Sequence, residues 1–176
     1  MIKILALPGS LRLNASSNQI LQTIKALAPP QVDFEIFDRI GNIPHFNDAD
    51  VIPHEVVSFR QKLKSANAVL ICTPEYAFGV PGALKNAIDW TVSSGEFSNK
   101  PVGLVTASSH GTHGHAAMQL ILNAISANLI VDATILIPFV RSKMDANGNI
   151  NDPELTEDLK RVWEGLILST RGNVVL

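Results

Sequence analysis

Ile2-Lys3-Ile4-Leu5-Ala6-Leu7-Pro8-Gly9-Ser10-Leu11-Arg12-Leu13-Asn14-Ala15-Ser16-Ser17-Asn18 is a strand running into a helix through a loop of hydrogen-bond donors. The apolar run Ile2–Leu7 reads as a buried strand. From Ser17 to Leu27, Ile20, Leu21, Ile24 and Leu27 recur at the spacing of one helix face, and Pro29-Pro30 stops the helix. The loop offers the hydroxyls of Ser10, Ser16 and Ser17, the amide of Asn18 and the guanidinium of Arg12, and it contains no Asp or Glu. A phosphate needs donors without a competing negative charge. The open N–H groups and positive dipole end of the following helix add to them. Helix capping accounts for one Ser or Asn, not for five donors together, so the loop reads as an anion site.

Working outward, strand and helix patterns alternate to the end of the chain. Val32 to Phe37 alternates apolar and acidic residues, as a less buried strand does, and residues 38–53 form a loop. A helix follows over His54 to Ser65, with Val57, Phe59 and Leu63 available for packing. Ala68 to Cys72 is a fully apolar strand, Pro74 to Pro81 a loop, and Gly82 to Val92 a helix whose face is Leu84, Ala87, Ile88 and Thr91. Val102 to Ala107 is the fourth strand and Ser108 to Gly114 a loop. The next helix covers His115 to Asn128, and Leu129 to Phe139 is the fifth strand. Asn147-Gly148 marks a turn. Asp152 as N-cap with Pro153 at the first helical position opens a last helix, with Leu155, Leu159, Val162, Trp163 and Leu166 on its apolar face. The residues after Arg171 are expected to fray. Five strands each followed by a helix imply a parallel sheet. Ligands of such sheets sit at the carboxyl ends of the strands, so the loops after strands one, three and four are expected to carry the function.

Composition narrows the function. The 176 residues are 46% hydrophobic and 17% charged, which excludes a disordered chain. A net charge of −2 gives no basic excess for nucleic acid. One cysteine, Cys72, excludes an internal disulfide or a cysteine cluster. No apolar stretch is long enough to cross a bilayer, and the first residues read as a strand, not a targeting peptide, so a cytoplasmic location with no membrane partner is expected. No repeat or linker divides the chain, and one domain over residues 1–176 is expected. The loop after strand one lacks both G-x-x-x-x-G-K-[ST] and G-x-G-x-x-G, which removes P-loop nucleoside triphosphatases and the usual dinucleotide fingerprint. A terminal monophosphate of a mononucleotide fits better.

The loop after strand three, Thr73-Pro74-Glu75-Tyr76-Ala77-Phe78-Gly79-Val80-Pro81-Gly82, sets two aromatic residues between prolines and glycines. A planar heterocycle needs such a rigid apolar ledge, with backbone groups for its polar edge. Tyr76 and Phe78 could equally plug a core or a subunit contact.

Gly9-Ser10-Leu11-Arg12 with Ser16-x-Asn18, then Thr73-Pro74-Glu75-Tyr76 and Pro81-Gly82-x-Leu84-Lys85-Asn86-Ala87-Ile88-Asp89-Trp90, resembles the NADPH-dependent FMN reductase family over nearly the whole chain. The resemblance implies a flavodoxin-like three-layer α/β fold with a five-stranded parallel sheet of order 2-1-3-4-5. It also implies bound FMN, NAD(P)H as co-substrate, and a homodimer or homotetramer. Carried over by position, Ser10, Arg12, Ser17 and Asn18 hold the FMN phosphate, with Ser16 a possible helper. Pro74, Glu75, Tyr76 and Ala77 line the isoalloxazine ring, mostly through backbone groups, and Ser108 approaches it from the third loop. Three departures stand out. The first loop has one residue more between Arg12 and Asn18 than the family spacing, leaving Ser16 and Ser17 as alternatives. Ala77 stands where many members have Asn. The third loop reads Gly114-His115-Ala116-Ala117, without the family's Arg.

The implied activity is an oxidoreductase passing hydride from NAD(P)H through FMN to a quinone, azo, metal-oxyanion or flavin acceptor. No obligatory catalytic acid or base is named, because the cofactor carries the chemistry. The rival is a non-catalytic FMN-binding electron carrier or redox-sensing module, whose acidic face a net charge of −2 does not favour. His110, His113 and His115 do not share a helix face and no metal site is assigned to them. Asp145-x-Asn147-x-Asn149 begins like a calcium loop, but Gly148 falls at the fourth place instead of the sixth and no Glu stands at the twelfth. Asn14-Ala15-Ser16 is a formal glycosylation sequon inside the anion loop. Cys72 reads as a small core residue.

Overall fold

A computed structural model describes residues 1–47 and 50–171. Five parallel strands, β1 (Ile2–Pro8), β2 (Val32–Ile36), β3 (Ala68–Thr73), β4 (Pro101–Ala107) and β5 (Asn128–Ile137), form one sheet in the order 2-1-3-4-5. Five α-helices accompany them: α1 (Ser16–Ala26), α2 (His54–Ser65), α3 (Gly82–Asp89), α4 (Thr112–Ala124) and α5 (Pro153–Arg171). The order is the flavodoxin-like one that the resemblance implies. Side-chain alternation along the central strands feeds two cores. Leu5, Leu7, Val69, Ile71, Val102 and Leu104 face α2, α3 and α4. Ile4, Ala6, Leu70, Cys72, Val105 and Ala107 face α1 and α5. Strands buried on both faces read as unbroken apolar runs, whereas β2 at the edge alternates half-buried and exposed positions.

Most element boundaries follow the sequence, and the exceptions have physical reasons. On α2 it is Val56, not Val57, that joins Phe59 and Leu63 in the core, while Val57 is exposed. The helix α3 ends at Asp89, and tighter turns carry the chain on, with Thr91 N bonded to Ile88 O and Val92 N to Asp89 O. The helix α4 begins at Thr112, inside the stretch that composition marks as loop, because Gly111 turns the chain at φ +91° and a carboxylate from another loop satisfies the new helix end. The strand β5 stops at Ile137, since Pro138 lacks an N–H and Phe139 takes a left-handed conformation at φ +50°. Asp152 caps α5, accepting from Leu155 N at 3.1 Å, and pairs with Lys143. The expected fraying after Arg171 lies outside the described residues. Among the described residues no helix is long and apolar enough to cross a membrane.

Register places the functional loops level with one another. Pro8 lies beside Cys72, Thr73 beside Thr106, and Ala107 beside Ile137. The ends of β1, β3 and β4 therefore open onto one edge of the sheet. β1 is flanked by β2 and β3, the reversal of winding at which α/β sheets bind ligands.

Candidate functional site

The loop leaving β1 is held from below. Gly9 N donates to Cys72 O at 2.7 Å, and a Cβ on Gly9 would lie 2.6 Å from the Thr73 Cα, so only glycine lets β1 and β3 stay paired here. Asn18 Nδ2 donates to Ser10 O at 3.2 Å and to Arg12 O at 2.8 Å, drawing the loop over the start of α1. Ser10 Oγ is 2.8 Å from the Tyr76 hydroxyl and accepts from Arg12 N at 3.2 Å. One buried hydroxyl thus joins the loop after β1 to the loop after β3.

The helix α1 starts without a cap. Its N-cap residue is Ala15, no side chain bonds the end, and the first turn holds no acidic residue. Ser16 and Ser17 follow at once, so their amides are donors that the helix geometry leaves open. Ser17 Oγ is buried without a hydrogen-bond partner, and its residue is only 1% exposed. An uncompensated buried hydroxyl is costly unless a ligand or water completes it. Asn18 Oδ1 shares that condition.

The loop after β3 is a tight antiparallel turn. Tyr76 N donates to Gly79 O at 3.0 Å and Gly79 N to Tyr76 O at 2.9 Å, with Ala77 at φ +47° and Phe78 at φ +57°. Two successive left-handed residues make a type I′ turn, which favours Asn-Gly and here is built from Ala-Phe. The Phe78 ring is exposed and meets His113 edge-on with 5.1 Å between centroids. Below the turn, Glu75 Oε2 accepts from Gly114 N at 2.6 Å, in the first turn of α4. A carboxylate at that end is favoured by the helix dipole. Gly114 fits tightly, a Cβ there being 3.0 Å from both Glu75 Cβ and Gly79 O.

These loops line a solvent-open cleft of about 150 Å³. Of the residues expected at the site, Arg12, Ser16, Ser17, Pro74, Glu75, Tyr76 and Ser108 line it together. Ser10 and Asn18 line a neighbouring groove behind the loop, and Ala77 is exposed at the tip of the turn. The cleft also takes Ser109 and Arg141. Arg141 follows β5 in a short helical turn, Val140–Lys143, and sequence reasoning missed it because no motif surrounds it.

The three histidines go separate ways. His110 meets Phe139 edge-on, His113 meets Phe78, and His115 Nδ1 is 2.8 Å from Thr106 Oγ1 with Nε2 3.0 Å from Gln119 Nε2. Burial lowers the His115 pKa, which favours the neutral ring. Among the described residues no group of three or more His, Cys, Asp or Glu is placed to hold a metal. Burial pushes the Cys72 thiol strongly upward, and its Sγ donates to Ser17 O at 3.0 Å. That thiol is a core group beneath α1, not a nucleophile.

A parallel sheet of this order, with a donor-rich loop and an aromatic turn at the winding reversal, has the architecture of flavodoxin-like proteins. The sequence pattern of the family described as NADPH-dependent FMN reductase matches residues 2–141, and the chain belongs to that family. It is therefore an oxidoreductase with FMN as cofactor and NAD(P)H as reductant. An NAD(P)H-dependent FMN reductase of Pseudomonas aeruginosa is 34% identical over 97% of this chain and 96% of its own. A 2-hydroxy-1,4-benzoquinone reductase of a Burkholderia species is 33% identical over 91% of this chain and 89% of its own. The solved structure of FerB, a flavoenzyme NAD(P)H:(acceptor) oxidoreductase from Paracoccus denitrificans, superposes with a TM-score of 0.79 over 98% of both chains at 22% identity, a likeness of fold.

Proposed function

We propose that residues 1–176 form one FMN-binding domain that reduces quinone-type acceptors with NAD(P)H. The observation that carries the reading is the uncapped start of α1. There Ser17 Oγ lies buried and unpartnered in the cleft that Arg12 and Tyr76 also line. Held by these residues, FMN would supply the chemistry of hydride uptake from NAD(P)H and electron transfer to the acceptor.

The chain's own residues supply binding and orientation. Ser16, Ser17 and the open amides of α1 donate to the phosphate, and the Arg12 guanidinium balances its charge. The absence of an acidic residue from the first turn keeps that end free of repulsion. Ser10 and Asn18 act one layer below, Asn18 by clamping the loop backbone and Ser10 by holding the Tyr76 hydroxyl. Pro74, Glu75 and Tyr76 in the cleft, with Ala77 at the tip of their turn, present the backbone ledge for the ring, and Ser108 lines the same cleft. Glu75 serves that ledge through its carboxylate, which ties it to α4.

The exposed rings of Tyr76, which lines the cleft, and of Phe78 on the same turn suit a flat conjugated acceptor, and a benzoquinone reductase stands among the similar sequences. A homodimer or homotetramer in the cytoplasm completes the reading. The test is steady-state NAD(P)H oxidation with a benzoquinone acceptor, using FMN-loaded protein against free FMN at equal concentration. Turnover well above free FMN is expected, and none above it would sink the proposal. Anaerobic bleaching of the flavin absorbance by NADPH is the accompanying signature.

A further inference from the structure

We infer that Arg141 is a second cationic ligand for the cofactor's phosphate monoester, in the cleft that Arg12 also lines. The inference rests on the proposed placement of that phosphate at the start of α1 and adds a residue from the other end of the sheet.

Charge is the first argument. Arg12 and Arg141 line the same cleft, and among the described residues neither is paired with a carboxylate. The one carboxylate lining it, Glu75, is engaged by Gly114 N at 2.6 Å. Two unpaired cations lining one small cleft make it a favourable place for an anion. A phosphate monoester carries about −1.5 to −2 charge at pH 7, so a single Arg12 leaves it under-neutralised. The buried hydroxyl of Ser17 points independently to a ligand in the same cleft.

Construction is the second argument. Arg141 is exposed, yet its backbone is fixed. Phe139 N donates to Ser109 O at 3.0 Å and Val140 N to Ser108 O at 3.2 Å, while Val140 is 3% exposed. Ser142 closes the turn, with both its N (2.9 Å) and its Oγ (2.8 Å) donating to Phe139 O. Phe139 holds a left-handed conformation, φ +50° and ψ 36°, which a bulky side chain adopts only when its surroundings impose it. Its ring is pinned against His110, 5.6 Å between centroids. The strained turn sets the next residue but one, Arg141, among the residues that line the cleft.

The test is titration of the flavin-stripped full chain with FMN and with riboflavin, followed by quenching of flavin fluorescence, for the wild type, Arg141→Ala and Arg141→Lys. The wild type is expected to favour FMN over riboflavin. Arg141→Ala is expected to lose about tenfold in FMN affinity with riboflavin affinity and the melting temperature unchanged. Arg141→Lys is expected to recover part of that loss and to show a steeper salt dependence than Arg141→Ala. Unchanged FMN affinity in Arg141→Ala, beside a wild type that still prefers FMN, overturns this inference and leaves the proposed function intact. An equal loss for FMN and riboflavin overturns it too, since the contact would then not be to phosphate. So does a rise in KM for NADPH but not NADH at constant FMN affinity, which would assign Arg141 to the pyridine nucleotide's own phosphate monoester. A wild type indifferent to the phosphate would instead overturn the proposed function itself.

Discussion

The two ends of the cleft are built on opposite principles. The loop after β1 gathers donors along ten consecutive residues and leaves a helix end open, with one buried hydroxyl unpartnered. The loop after β3 has its turn closed by two backbone bonds and its Glu75 spent on α4. The first end stores unmet hydrogen-bonding capacity; the second stores backbone strain at Ala77 and Phe78. An anion is recognised by charge and open donors, whereas a flat ring is recognised by the shape and rigidity of its ledge. Each end therefore fails in a different way when altered, affinity at the first and stability at the second, and the joint between them is shared.

That joint is the largest target. Gly9→Ala would drive a Cβ into Thr73, whose Cα would be 2.6 Å away, and force β1 from β3. A loss of about 3 kcal/mol in urea unfolding is expected, together with loss of FMN binding. A well-folded Gly9→Ala protein that still binds FMN would show that the two loops need no common anchor. Arg12→Ala is expected to weaken FMN binding by about 1.5–3 kcal/mol in a fluorescence titration, with riboflavin binding and folding stability unaffected. A parallel loss for riboflavin would blur the division between the ends.

Glu75→Gln keeps the shape but removes the charge that the α4 end favours. About 1 kcal/mol of stability should be lost, read from thermal unfolding, with a smaller effect on FMN phosphate binding than Arg12→Ala has. Ala77→Asn should act in the other direction, raising stability by about 0.5 kcal/mol, because Asn tolerates the left-handed position that costs Ala. The smallest effect expected is a pH dependence at the ring end. His115 has a lowered pKa in the folded state, so the unfolded chain takes up a proton first as pH falls. The stability of the neutral ring is fully present above the unfolded value of about 6.5 and is lost as pH falls through the folded one. Thermal melts of the wild type should decline through this window more than those of His115→Gln. Identical profiles would remove His115 from the account.

The same contrast governs what could be read in advance. The donors of the first loop were legible because charge and donor content are properties of residue type: Arg12, Ser16 and Ser17 carry theirs wherever the loop goes. Even there, local chemistry could not divide labour within the segment. Asn18 and Ser10 are as polar as Ser17, yet Asn18 bonds Arg12 O and Ser10 bonds the Tyr76 hydroxyl, partners no local pattern names. At the ring end the sequence offered two aromatics between prolines and glycines but not the left-handed turn, since Ala-Phe is a poor type I′ pair. The early start of α4 was hidden because its capping carboxylate comes from Glu75, a residue on another loop. Arg141 was invisible for a related reason: its place in the cleft depends on backbone bonds from Phe139 and Val140 to Ser109 and Ser108.

Sequence by itself determined the alternation of strands and helices, the burial of the central strands and the chemistry of the anion loop. Hydrophobic period and donor content are local and survive any packing. Tertiary structure alone decided which hydroxyl is left unpartnered, which carboxylate caps which helix, and which second guanidinium enters the cleft. Those outcomes depend on distances between segments far apart in the chain, and such distances are set only when parallel pairing brings the ends of β1, β3, β4 and β5 to one edge.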